Sequence, residues 1–245
     1  MIRSVTKYGL IFMLACSCNQ PYAPDCFQRA GDYETELRTV GNFNTIELRD
    51  YVQIELYDST ETFVEVTAPR NLIPDIKTEV QNEVLKIENK NTCNFVRSYK
   101  NNITVRIYAP SFADIQHHGT GDIKSVNTIT STYFKIENHK SAGTMTVHLN
   151  VDSVAILTHR GMADVICTGT STKTTLFSQG LGYIDCSSLI STDTYVNNSS
   201  INDVYANCNG YMYCYIAFSG NIYYTGTPNY IDVQNEGSGS VVEKP

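Results

Sequence analysis

From residue 43 onward, hydrophobic and polar residues alternate in short runs. TIELRDYVQIEL, TFVEVTA, VLKIEN and ITVRIYA, within residues 43–109, have the period of two that half-buried strands require, with turns at YDST, QNE and SYKNN. Further along, the alternation is punctuated by a small-residue turn that keeps returning. GTGDIKS (Gly119–Ser125) is followed by AGTMTV, GMADVI, GLGYID, SINDVY, SGNIYY and GSGSVV.

Taking Gly121, Gly143, Ala163, Gly182, Asn202, Gly220 and Gly239 as marks gives intervals of 22, 20, 19, 20, 18 and 19 residues. Two positions after each mark stand Ile123, Met145, Val165, Ile184, Val204, Ile222 and Val241, all apolar. Six positions before the marks stand Ile115, Leu157, Leu176, Val196, Cys214 and Val233. In the 22-residue repeat Glu137 breaks this column, and Ile136 restores it if the repeat carries a one-residue bulge.

A period near 20 residues signals a solenoid. Leucine-rich repeats need an LxxLxL core, which is absent, and propeller blades need about twice the length. The pattern predicts an all-β, single-domain parallel β-helix with coils of about 18–22 residues, each burying its inner face against its neighbours. The strands before residue 108 are expected to form the first coils and a cap protecting the end of the rod. At about 4.8 Å per coil, seven coils make a rod about 30 Å long. Gly and Asn at the marks are expected to supply corner conformations closed to bulkier residues.

Composition narrows the setting. Charged residues make up 18% of the 245, and the formal net charge is −7, falling to −9 if Arg3 and Lys7 leave with a signal peptide. Such a chain has no global attraction for nucleic acid or anionic lipid. The opening MIRSVTKYGLIFMLACSCNQ has a basic start, an apolar run too short to span a bilayer, and cysteines directly after small residues. Residues 1–17 therefore read as a lipoprotein signal peptide, with Cys18, or alternatively Cys16, acylated and anchoring the protein to the membrane. SCN resembles lipoprotein starts of the Bacteroides group; a plain signal peptide is the other reading. Residues 18–40 read as a tether and 41–245 as the β-helix domain.

Cleavage before Cys18 leaves Cys26, Cys93, Cys167, Cys186, Cys208 and Cys214, with no CxxC pair or zinc-like spacing among them. Alternation turns Cys167 and Cys186 inward on adjacent coils. Their parallel Cβ vectors do not converge on a bridge, so a buried ladder of free thiols is expected.

Candidate chemistry is sparse. Asp122, Asp164 and Asp203 each follow a mark by one residue. Acids on alternate coils lie roughly 9–10 Å apart, near the upper limit for an inverting glycosidase pair. The alternative is that they cap corner amides. GxSxG, HExxH, P-loop and calcium-loop patterns are absent, so no catalytic residue and no cofactor is assigned.

QHHGTG, NHKSAG and THRGMA place a basic column before three successive turns, whose outward members would be His118, either His139 or Lys140, and Arg160. It is either a solvated or corner-bonded edge or a site for an anionic glycan or carboxylate. A metal site is the third reading, disfavoured because a flat column of imidazoles is poor tetrahedral geometry, and no metal is assigned. In YMYCYIAF, Met212, Cys214, Ile216 and Phe218 share the core face, leaving Tyr211, Tyr213 and Tyr215 outward. Tyr195 falls beside Tyr213, and Phe177 two coils below Tyr215. Such rings stack on sugars or partner proteins, or pair across strands.

FNTIELRDYVQIEL, VLKIEN, the GTGDI repeats and the closing FSGNIYYTGTPNYIDVQNEGSGSV resemble the head GIN domain of auto-transporter adhesins. This is a Bacteroides-group family, often of lipoproteins, named for presumed adhesion. The resemblance covers about residues 41–243, with YYTGTP…GSGSV its most specific part; RGMAD and SSIND depart from the repeat pattern. It implies a right-handed β-helix at the cell envelope and little about activity. The first reading of the chain as a whole is a non-enzymatic lipoprotein, lipid-anchored at the outer membrane or cell envelope, whose β-helix presents a binding surface for glycan or for an envelope or host protein. A carbohydrate-active enzyme on the same scaffold and a purely structural envelope component are the alternatives.

Overall fold

The computed structural model describes residues 29–92 and 102–244. The signal stretch and Cys16, Cys18, Cys26 and Cys93 lie outside the described residues. The chain forms an all-β solenoid of about six turns.

Strict alternation buries Ile46 and Leu48 of β2 (Thr45–Leu48) and Ile54 and Leu56 of β3 (Gln53–Asp58). These two strands make one coil. Later in sequence come β6 (Val84–Asn89) with β7 (Thr104–Ala109), and β8 (Asp114–His117) with β9 (Ile123–Ser125). β2 pairs in parallel with both β6 and β8, and β3 with both β7 and β9. The first coil in the chain is thus the second coil of the rod, and β6 and β7 lie outside it.

The expected cap is antiparallel. β4 (Phe63–Pro69) runs against β7, β1 (Tyr33–Arg38) against β4, and β5 (Ile76–Gln81) against β6. The β5–β6 hairpin turns through Asn82 and Glu83 at φ 52° and 62°, the left-handed pair that two-residue hairpins use. β1 falls in the stretch read as a tether, and its pairing ties that part of the stretch to the cap.

The middle coils are long strands bent round the rod: β10 (Ile129–Ser141), β11 (Thr144–Gly161), β12 (Asp164–Ser178) and β13 (Ile184–Asn198). The last coils are split into β14 (Val204–Asn207) with β15 (Tyr211–Ile216), β16 (Ile222–Thr225) with β17 (Tyr230–Asn235), and β18 (Val241–Glu243).

One inward column runs Ile123, Met145, Val165, Ile184, Val204, Ile222, all buried, and ends on half-buried Val241. The facing column runs Ile115, Ile136, Ile156, Leu176, Val196, Cys214. Full burial of each large aliphatic contributes about 1.5–3 kcal/mol. Ile136 does replace Glu137, as the bulge argument required.

Three expectations need correction. Ile156, not Leu157, holds the column, because that coil carries one more residue between column and corner. Val233 belongs to the column by register but is 48% exposed, since β17 pairs only with β15 among the described strands. Phe218 sits in a corner, 55% exposed, outside the core.

The corner glycines also act differently than expected. Of the glycine marks, Gly143 alone has a positive φ, +99°. At Gly182 a Cβ would lie 2.0 Å from the carbonyl oxygen of Ala163, and at Gly121 1.7 Å from that of Val52. Close stacking of one corner on the next, rather than left-handed backbone, demands the missing side chain at these two positions. Cys167, Cys186, Cys208 and Cys214 are buried free thiols, in keeping with the expected ladder.

Candidate binding face

Alternation that turns Leu176, Val196 and Cys214 inward turns their neighbours outward, onto one wall of the rod. Thr175, Tyr195 and Tyr213 form one outward row, in register across β12, β13 and β15. Leu157, Phe177, Asn197 and Tyr215 form the next. An open groove of about 430 Å³ follows these rows, lined by Leu157, His159, Phe177, Tyr195, Asn197 and Tyr213 among others, and its surface is almost wholly apolar.

The tyrosines are pinned. Tyr211 stacks on Tyr230, centroids 5.9 Å apart at 7°, and tilts against Tyr195 at 5.8 Å. The Lys173 ammonium lies 4.9 Å from the Tyr195 ring centroid, in cation–π range. The Tyr213 hydroxyl donates to Gln234 Oε1 at 3.1 Å, and that of Tyr215 to Glu236 Oε2 at 2.9 Å. The bond to Glu236 pushes the Tyr215 phenol above its ordinary pKa. Rings held in this way have less freedom left to lose when a ligand arrives.

The basic column borders this wall. His118, His139 and His159 stack face to face, with centroids 5.0 and 4.9 Å apart and planes within 12°. His159 then tilts against Phe177 at 5.5 Å. Arg160 is exposed and sits opposite His139 in the backbone register, but bulges around His139 also leave the ring of His159 on the stack, which the expected set did not include. Lys140 is the residue that absorbs the shift, at φ 56°, and is exposed beside the column. His117 points inward, and burial pushes its pKa down to about 4. Burial works to raise the Glu137 carboxyl, but bonds from Lys135 and His159 outweigh it and hold its pKa below the usual value.

The aspartates cap corners. Asp122 Oδ1 accepts the Thr144 N–H at 2.8 Å, Asp164 Oδ1 that of Tyr183 at 3.0 Å, and Asp203 Oδ1 that of Asn221 at 2.8 Å. Each acid thus spends an oxygen on the next coil. On another wall, Tyr205 and Tyr223 stack at 5.2 Å with the Lys244 ammonium 4.6 Å from the Tyr205 centroid. A more polar groove of about 500 Å³ there takes in Asp164, Tyr183, Asp185, Asp203, Tyr205 and Lys244.

The structure therefore brings together Phe177, Tyr195, Tyr211, Tyr213 and Tyr215 as the alternation implied. Sequence reasoning missed Leu157, Lys173 and His159. A signal for His159 was present in the lengthened THRG corner, where one extra residue had to be placed.

Comparison with solved structures supports the fold. A crystal structure of a "putative adhesin" from Bacteroides fragilis matches with a TM-score of 0.81 and 21% identity, over 87% of this chain and 97% of that one. A "putative adhesin" from Parabacteroides distasonis matches at TM-score 0.61 and 18% identity, covering 87% and 98%. A "putative lipid binding protein" from the same species matches at 0.59 and 17%, covering 88% and 98%. No curated protein matches the sequence. A family model matches residues 42–228, and the chain belongs to that family, described as "Putative auto-transporter adhesin, head GIN domain".

Proposed function

We propose that this chain is a non-enzymatic cell-envelope lipoprotein of adhesin type, anchored through Cys18 (alternatively Cys16), that offers its aromatic wall to glycans. The observation that carries the reading is the open apolar groove between pinned rings, with Phe177, Tyr195 and Tyr213 along it. Aromatic faces match the C–H faces of sugars, and each stacked ring contributes about 0.5–1.5 kcal/mol, by analogy with aromatic pairs. Such a site is weak and broad, and many copies on one surface make it useful through avidity. The neighbouring imidazoles, with Lys140 and Arg160, favour acidic sugars, an effect that salt weakens.

The engagement of Asp122, Asp164 and Asp203 with corner amides argues against a glycosidase pair built from them. The test is a glycan array probed with the intact chain, followed by variants on any ligand found. Tyr195→Ala/Tyr213→Ala should abolish binding, while Asp122→Asn/Asp164→Asn should leave it. Loss of binding with the Asp pair alone, turnover of a polysaccharide, or an array without a single hit alongside capture of a protein partner would overturn the glycan reading.

A further inference from the structure

Beside the aromatic groove, three side chains from adjacent coils converge on one point. Glu137 and His139 are two residues apart on β10, and His159 comes from β11 on the next coil. Glu137 Oε1 lies 2.9 Å from His159 Nε2 and 3.2 Å from His139 Nε2, and the three donor atoms all fall within 4.8 Å of one another. Glu137 Oε2 is bound elsewhere, to the Lys135 ammonium at 2.9 Å, which itself contacts Asp114 Oδ2 at 3.1 Å. The carboxylate is thereby turned with one oxygen committed and the other presented to two imidazoles.

We infer that Glu137, His139 and His159 form a binding site for a divalent transition-metal ion of the Zn²⁺ or Cu²⁺ class. Imidazole nitrogen and carboxylate oxygen are the donors such ions take, at bond lengths of about 2.0–2.2 Å. Tetrahedral ligands at those distances stand about 3.4 Å from one another. Two of the three donor–donor edges, 2.9 and 3.2 Å, are already close to that length. The third, between the imidazole nitrogens, closes if the stacked rings tilt toward each other. Both rings have room for this, since the His139 and His159 side chains are 38% and 35% exposed.

A column of imidazoles by itself is poor tetrahedral geometry. Glu137 changes that by supplying an anionic oxygen off the stacking axis. His118, stacked on the other side of His139 at 5.0 Å, or solvent, completes the coordination. His159 also lines the groove, so metal and ligand would share a residue.

The site is tested on the intact chain by calorimetric titration with Zn²⁺ and by electron paramagnetic resonance with Cu²⁺. Expected are one equivalent bound, nitrogen couplings from at least two imidazoles, and a higher melting midpoint with Zn²⁺. His139→Ala/His159→Ala and Glu137→Gln should each weaken binding tenfold or more. His148→Ala, an exposed histidine elsewhere on the rod, should leave it unchanged. Melting of the metal-free variants checks that they fold. The absence of saturable binding to the wild type, or binding unaltered in the double histidine variant, overturns the assignment.

Discussion

Asp164 Oδ1 accepts the backbone N–H of Tyr183 on the following coil, 3.0 Å away. The bond joins one corner to the next, and Asp122 and Asp203 repeat it at their own corners. Each is the sheet counterpart of a helix N-cap, where removing such an acceptor costs roughly 1 kcal/mol. Asp164→Ala should therefore lower stability by about 1 kcal/mol, and Asp164→Asn, which keeps an acceptor oxygen, by clearly less. Denaturant melts of the two variants check this; equal losses would show that charge, rather than the hydrogen bond, is what matters at the corner.

The inside of the rod should be far less forgiving. Val165 is fully buried between Met145 and Ile184. Val165→Asp puts an unpaired carboxylate there and should cost several kcal/mol. Thr146→Asp, on an exposed position beside Lys124, should cost less than about 0.5 kcal/mol. Similar melting midpoints for the two would refute the assignment of inner and outer faces.

How far the sequence could reach is visible in these same positions. Val165 was legible because alternation and a period near 20 residues both pointed to it. Leu157 was misplaced because its coil holds one extra residue after the column, and nothing in the local alternation says on which side of Leu157 it falls. The same ambiguity hid His159 from the outward set, although Arg160 is exposed as expected. The order of coils at the capped end was beyond local reasoning. β2 accepts β6 on one edge and β8 on the other, and parallel pairing between strands distant in sequence leaves no periodic trace. The site was legible where it is a register neighbour relation, as for Tyr195 and Tyr213, and not where it depends on a bulge at Lys140.

The buried thiols set an alkaline limit. Burial pushes the Cys214 pKa from its ordinary 9.0 up to about 12, and Cys186, hydrogen-bonded to Cys167 and buried, is also raised. Below about 9 both folded and unfolded chains hold the Cys214 proton, and its contribution is fully present. Between about 9 and about 12 only the folded chain holds it, so stability falls as pH rises, by about 1.4 kcal/mol per pH unit for one such group. Cys214→Ala should flatten that decline in denaturant melts across the window. Native protein at pH 8 should leave Cys167, Cys186, Cys208 and Cys214 unalkylated until it is unfolded; a peptide linking Cys167 to Cys186 would refute the free ladder.

The anchor has its own test. Cys18→Ala should abolish acyl labelling and release the protein from membranes. Labelling that survives this change and disappears with Cys16→Ala would move the anchor by two residues, and labelling insensitive to both would remove it.

The central claim, that ligand meets the wall carrying Phe177, Tyr195 and Tyr213, is tested most directly by hydroxyl-radical footprinting with and without a glycan drawn from the array. Tyr205 and Tyr223, stacked on another wall, serve as the internal reference. The account predicts that ligand protects Phe177, Tyr195 and Tyr213 while Tyr205 and Tyr223 stay as reactive as in the free protein. Protection of Tyr205 and Tyr223 with Tyr195 and Tyr213 unchanged would contradict it.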